Sequence, residues 1–215
     1  MPAPLLFWDV DTQADFICPD GRLYVPGAEE IVPNLRRLTE WAAGNGVLVI
    51  ASVDAHHPDD PEFRIYPPHC LVGTAGQRKI PETRLPHALI IPNQRVDLPE
   101  DLTGYRQLVL EKQQLDVFSN PNTDSLLVKL GLNYNVVLYG VVSEICVAYA
   151  GRGLLQRDYR VQVVTDAIRH LDEPRARMFL EEIKEAGGKL ITTKELLTVS
   201  PPSNRRLDRT VSSHT

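Results

Sequence analysis

The stretch Asn135-Val-Val-Leu-Tyr-Gly140-Val-Val-Ser-Glu-Ile-Cys146-Val-Ala-Tyr-Ala-Gly-Arg-Gly-Leu-Leu155 reads as a strand, a turn and a helix in immediate succession. Its β-branched apolar run is that of a strand buried on both faces, Gly140 marks its end, and Ser143 followed by apolar residues at helical spacing marks a helix start. Cys146 then falls in the first helical turn. Backbone N–H groups there lack intrahelical partners and the macrodipole is positive, which lowers a thiol pKa and suits a nucleophile. The alternative is a small buried hydrophobe, as most free cysteines are.

The same alternation extends over the chain. Apolar runs at 5–10, 47–53, 88–91, 107–110 and 160–165 join 135–141 as six expected strands. Helical periodicity covers 28–45, 122–130, 143–156 and 174–186, with glycine stops at Gly44, Gly131 and Gly187-Gly188. Strands alternating with helices predict a three-layer α/β/α fold with a mostly parallel, six-stranded sheet and right-handed crossovers, in which ligands bind outside the carboxyl ends of the strands. Residues 1–199 are expected to form one domain. The polar, aperiodic segment 200–215 is expected to be a disordered tail or a partner-dependent arm.

Composition narrows the class. A chain of 215 residues with 43% hydrophobic content buries a full core. A formal net charge of -5 with interspersed signs argues against nucleic acid or an anionic membrane as the main partner. The start Met1-Pro-Ala-Pro-Leu-Leu-Phe-Trp8 lacks a basic region and runs into Asp9, unlike a signal peptide, and no apolar run is long enough to span a bilayer, so a cytoplasmic location is expected. Cys18, Cys70 and Cys146 are odd in number and lack CxxC spacing, so reduced thiols are expected rather than a disulfide framework.

Polar groups gather just past the expected strand ends. The first strand runs into Asp9-Val-Asp11, the second into Asp54-Ala-His56-His57, the fourth into Glu111-Lys112, and the fifth leads to Cys146. Taken singly, such an Asp is usually a turn or cap residue and such a Lys is usually solvated. Together they supply a thiol, a carboxylate that takes its proton and an ammonium that stabilises negative charge, which is what acyl transfer requires.

Asp11-Thr-Gln-Ala-Asp-Phe16 resembles the DxQxDF signature of the isochorismatase-like cysteine hydrolases, Gly140-Val-Val-Ser-Glu-Ile-Cys146 resembles their GxxxxxC nucleophile segment, and Lys112 falls between the two as their lysine does. The resemblance covers 5–197. It implies a triad of Asp11, Lys112 and Cys146, a cis peptide between Val141 and Val142, and an oxyanion hole made by the N–H groups of Val142 and Cys146. Asp9 is expected on the same strand face as Asp11 by alternation. Asp11 ranks above it because the motif begins there.

The family's metal-binding branch is nicotinamidase, whose members present Asp-x-His, then His or Glu, then the His of a PxHC segment. Asp54-x-His56, Glu62 and His69 in Pro68-His-Cys70 are similar to that set. The resemblance implies one divalent transition metal, Zn²⁺, Mn²⁺ or Fe²⁺, with Glu62 standing where many members have His and shifting preference toward harder ions. His57 is expected to point away from His56 in an extended segment. The resemblance further implies a substrate ring held by Phe16 and Tyr66, with Val141 and Phe118 also lining the site, although 115–122 departs from the usual sequence. The activity implied is hydrolysis of nicotinamide to nicotinate and ammonia through a cysteine thioester. The alternatives are a metal-free hydrolase of another amide, a ureido compound or isochorismate, or a non-catalytic binding protein. A small amide partner and a homo-oligomeric state are expected.

Overall fold

A computed structural model describes residues 3–131 and 134–198. Seven parallel strands form one sheet, β1 (Leu5–Val10), β2 (Val49–Asp54), β3 (Ala88–Ile91), β4 (Gln107–Lys112), β5 (Asn135–Val141), β6 (Arg160–Arg169) and β7 (Lys189–Ile191), in the order β3-β4-β2-β1-β5-β6-β7. The expectation of six strands is corrected to seven. β7 has three residues, lies at the sheet edge and pairs with β6 alone, so it carries too little apolar pattern to be read from sequence. The expected tail at 200–215 lies outside the described residues.

Helices cover both faces. Leu126 and Leu127 of α3 (Thr123–Leu130), Ala150 and Leu154 of α4 (Ala148–Leu155), and Phe179 and Ile183 of α5 (Glu173–Glu185) pack with Leu6, Trp8, Ile50, Leu108 and Leu138 of the sheet. Against the other face pack α1 (Ala14–Ile17), α2 (Val32–Gly44) and α6 (Thr193–Thr198), burying Phe16, Leu35, Leu38 and Leu196 beside Phe7, Val49 and Val137. No helix among the described residues is long and apolar enough to cross a membrane.

The four neighbouring strands β4, β2, β1 and β5 bring their carboxyl ends together. Gly140 makes that closeness possible. It pairs with Val10 at a φ of 118°, and a Cβ there would lie 2.0 Å from the Val10 carbonyl oxygen, so only glycine lets β5 approach β1 at its exit.

Candidate active site

Asp11 follows β1 in the left-handed region, at a φ of 50°. That conformation costs roughly 1–2 kcal/mol for a residue with a Cβ, and it breaks the strand alternation. The Asp11 carboxylate therefore turns to the face of Ser52 and Lys112, accepting from Ser52 Oγ at 2.6 Å. Asp9 points to the opposite face, where it binds Lys79. The expectation that the two carboxylates share a face is thus corrected, because alternation fails at the first non-extended residue.

Lys112, at the end of β4, is fully buried. Its Nζ lies 2.9 Å from Asp11 Oδ2 and 3.8 Å from Cys146 Sγ and forms an ion pair with Asp54 Oδ1. Burial opposes its charge, but Asp11 and Asp54 outweigh burial and hold its pKa well above the ordinary lysine value. Cys146 lies in a π-turn, Ser143–Val147, that leads into α4, and the preceding Val141–Val142 peptide is cis, as the resemblance implies. Three of the residues expected to act together are therefore in contact distance.

The thiol differs from expectation. Burial pushes the Cys146 pKa up, Lys112 opposes that rise, and Asp11 and Asp54 add to it. A helix start alone favours thiolate, but here one ammonium faces two carboxylates. Asp11 is likewise raised, by burial first and by Asp54, against the pull of Lys112. Burial and the surrounding carboxylates thus disfavour the charged form of both groups, while the Lys112 ammonium favours it.

The remaining polar residues of the first motif are braces. Gln13 donates from Nε2 to the Asp54 carbonyl at 2.8 Å and accepts from the Asp54 N–H at 2.6 Å, while Asp15 accepts from the Cys70 N–H at 2.6 Å, beside His69. One hexapeptide thus supplies the carboxylate facing Lys112 and fixes the backbone of Asp54 and of Cys70, the neighbour of His69.

Asp54, His56, Glu62 and His69 present one ligand atom each within 4.8 Å of one another. His56 Nε2 and His69 Nε2 both lie 3.6 Å from Asp54 Oδ2, and 3.9 and 3.8 Å from Glu62 Oε1. The outer nitrogens are committed elsewhere, His56 Nδ1 to Asp60 at 3.0 Å and His69 Nδ1 to the Pro67 carbonyl at 2.8 Å, so each ring aims Nε2 inward. His56 Nε2 is buried without a hydrogen-bond partner. Burial disfavours a charged His56, yet Asp54, Asp60 and Glu62 hold its pKa up to about 9. A buried imidazole nitrogen without a hydrogen-bond partner, facing two carboxylates and a second imidazole, fits a divalent cation. His57 is exposed and outside the group, as alternation requires.

Phe16 and Tyr66 border this cluster, with ring centroids 5.4 and 6.5 Å from that of His69. Val141 is buried at the cis bond. Phe118 is corrected. Its ring packs 6.2 Å from Trp8, beneath Arg157 at 3.7 Å and against Gly153, two helical turns past Cys146, so it is a packing residue under α4. The sequence reading missed Ser52, Asp60 and Phe63, whose ring lies 5.2 Å from that of His56. For Asp60, the spacing of four from His56 was the available signal.

Parallel strands with helices on both faces define a doubly wound α/β scaffold, and its polar groups converge at the carboxyl edge of the sheet, where such folds bind ligands. The sequence profile of the Isochorismatase domain matches residues 5–195, and the chain belongs to that family of hydrolases. It is 28% identical over 214 residues to the nicotinamidase of Escherichia coli (strain K12), covering 85% of this chain and 92% of the relative. Among solved structures it resembles N-carbamoylsarcosine amidase from Thermoplasma acidophilum, at 29% identity and a TM-score of 0.72, over 89% of this chain and 98% of that one. It also resembles a pyrazinamidase of Pyrococcus horikoshii in complex with zinc, at 25% identity and a TM-score of 0.71, over 87% and 98%.

Proposed function

We propose that the protein is a cysteine amidohydrolase acting on a pyridine carboxamide of the nicotinamide type. The observation that carries this reading is Asp54, whose Oδ1 pairs with Lys112 while its Oδ2 faces both imidazoles. A reacting thiol and a four-residue metal set are thereby held at a fixed separation. When bound by Asp54, His56, Glu62 and His69, a divalent transition metal supplies a Lewis-acid position for the ring nitrogen of the substrate.

In the reaction, Cys146 Sγ attacks the carboxamide carbon as its proton moves to Asp11. The N–H groups of Val142 and Cys146 hold the oxyanion. Asp11 returns the proton to the leaving nitrogen, the C–N bond breaks and ammonia departs, leaving a thioester. Asp11 then takes a proton from water, the hydroxide adds to the thioester carbon, and the C–S bond breaks to release the acid as Asp11 returns that proton to the sulfur. Lys112 keeps Asp11 ionised and faces the sulfur throughout. Phe16 and Tyr66 flank the ring.

The purified protein is expected to carry about one transition metal per chain and to release ammonia from nicotinamide faster than from benzamide, which lacks the ring nitrogen. Chelation should raise KM for nicotinamide far more than it lowers the unfolding temperature. The similarity to an N-carbamoylsarcosine amidase favours a second reading, a hydrolase of ureido compounds. A metal-free preparation that turns over an N-carbamoyl amine at an undiminished rate, with nicotinamide inert, would establish that second reading.

The acid limb of the pH profile tests the base. Asp11 accepts the thiol proton only when ionised, and burial raises its pKa above the ordinary 3.8. Activity should fall as pH drops through that raised value. Lys112, raised above 10.5, stays charged well into the alkaline range. An acid inflection of kcat/KM at or below 3.8 contradicts the assignment of Asp11.

A further inference from the structure

The face of the sheet opposite the nucleophile holds a second buried charged cluster that the reaction does not use. Lys79, 8% exposed, donates from Nζ to Asp9 Oδ2 at 2.6 Å and to Thr12 Oγ1 at 2.7 Å. Thr12 Oγ1 donates to Asp9 Oδ1 at 2.8 Å, and Thr83 Oγ1 lies 2.8 Å from it. Tyr139 is the β5 residue paired with Asp9, and its buried hydroxyl has a pKa raised by burial and by the Asp9 charge. Asp9, Thr12 and Thr83 are wholly buried, so the cluster is sealed from ligands.

What it holds is Thr12, the residue between Asp11 and Gln13. Besides the three contacts to its hydroxyl, the Thr12 carbonyl accepts from the Ile80 N–H at 2.9 Å. Segment 79–83 is itself fastened to β4, because Gln107 donates to the Thr83 carbonyl at 3.0 Å. Asp11 has a left-handed backbone, kept by its own N–H to the Ser52 carbonyl at 3.1 Å and by the Gln13 N–H to its carbonyl at 2.8 Å. A left-handed residue relaxes toward the extended region unless both flanks are fixed, and relaxation would swing the carboxylate off Lys112 and Cys146. The upstream flank is a strand. The downstream flank is Thr12.

We propose that Lys79, through Thr12, is a positioning residue for Asp11, setting the direction of the catalytic carboxylate from the far side of the sheet. This rests on the reading of Asp11 as the general base. Loss of the Lys79 charge leaves Asp9 buried with only the Thr12 hydroxyl to bind, so Thr12 rotates and carries Asp11 with it. A misplacement near 1 Å costs about 10²-fold in rate.

Four variants decide it, assayed for kcat and KM on the best amide substrate, for iodoacetamide alkylation of Cys146 and for unfolding temperature. Thr12→Val keeps the shape and the Asp9–Lys79 pair. It should fold like the wild type, lose about 10- to 100-fold in kcat with KM nearly unchanged, and be alkylated at Cys146 proportionately more slowly. Lys79→Met should show the same kinetic loss and also unfold at lower temperature, since it strands a buried charge. The double variant Asp9→Val with Lys79→Met removes both charges and should recover unfolding temperature without recovering kcat. A staple that merely stabilises the fold predicts that both recover together, and that outcome, or wild-type kcat in Thr12→Val, overturns the inference. Asp11→Asn run alongside separates the two claims. An active Asp11→Asn removes the general-base reading and this inference with it, whereas an inactive Asp11→Asn beside a fully active Thr12→Val removes this inference alone.

Discussion

Replacing Cys146 by alanine is expected to abolish turnover, a loss of about 10⁵-fold or more, while the unfolding temperature stays close to that of the wild type. Cys146 is 8% exposed and packs in the cluster of Val147, Ala148 and Ala150. Deleting one sulfur there costs on the order of 1 kcal/mol. Removing the nucleophile removes the thioester route altogether.

Alkylation reports the same assignment without a substrate. Cys70 is wholly buried, and burial pushes its pKa far up. Cys18 is more exposed, but the charges acting on it, Asp20, Glu82 and Asp15, are all negative and offer a thiolate no stabilisation. Cys146 alone has Lys112 at 3.8 Å to stabilise a developing thiolate and Asp11 to take the proton. Iodoacetamide should label Cys146 first, and Asp11→Asn should erase that selectivity. Equal labelling of the three cysteines in the native protein, or turnover surviving in Cys146→Ala, would sink the nucleophile assignment.

Features carried by contiguous sequence were legible, and those created by folding were not. The strands at β1 and β5 agree with their apolar runs because a buried parallel strand needs little else. Asp54, His56, Glu62 and His69 were legible through the family resemblance, and the fold brings one ligand atom of each within 4.8 Å of the others. The positive φ of Asp11 was hidden, since it follows from the Ser52 carbonyl and the clamp on Thr12, both remote in sequence. So was the sign of the Cys146 shift. A helix start is a local signal, but the burial that raises the thiol, and the two carboxylates set against one ammonium, exist only once β1, β2 and β4 lie side by side. Phe118 failed for a related reason, because an aromatic residue that packs under a helix has the same sequence context as one that lines a site.

Lys112→Met should be the most damaging change that leaves Cys146 itself untouched. The methionine stem fills much of the lysine volume, but Asp11 and Asp54 are then left without their shared cation in a buried site. Breaking a buried pair from one side costs about 3–5 kcal/mol, and loss of the charge facing the sulfur should cut acylation by about 10²- to 10³-fold. The pH dependence identifies the cause. The Lys112 pKa is raised in the folded protein, so its contribution to stability is full below the unfolded value of 10.5 and fades only as pH rises through the higher folded value. For Asp54 the folded pKa is depressed: burial opposes the depression, and Lys112, His56 and His69 outweigh it, so its contribution is present above 3.8 and is lost as pH falls through the lower folded value. At neutral pH the wild type has both. The variant has two carboxylates in one buried site, and its Asp11, already raised by burial and by Asp54, takes up a proton more readily still. Its stability deficit should therefore be largest at neutral and alkaline pH and should shrink on acidification, as urea unfolding at pH near 5 and near 8 would measure. A deficit that stays constant between those conditions means that lost packing, not lost charge, accounts for the damage.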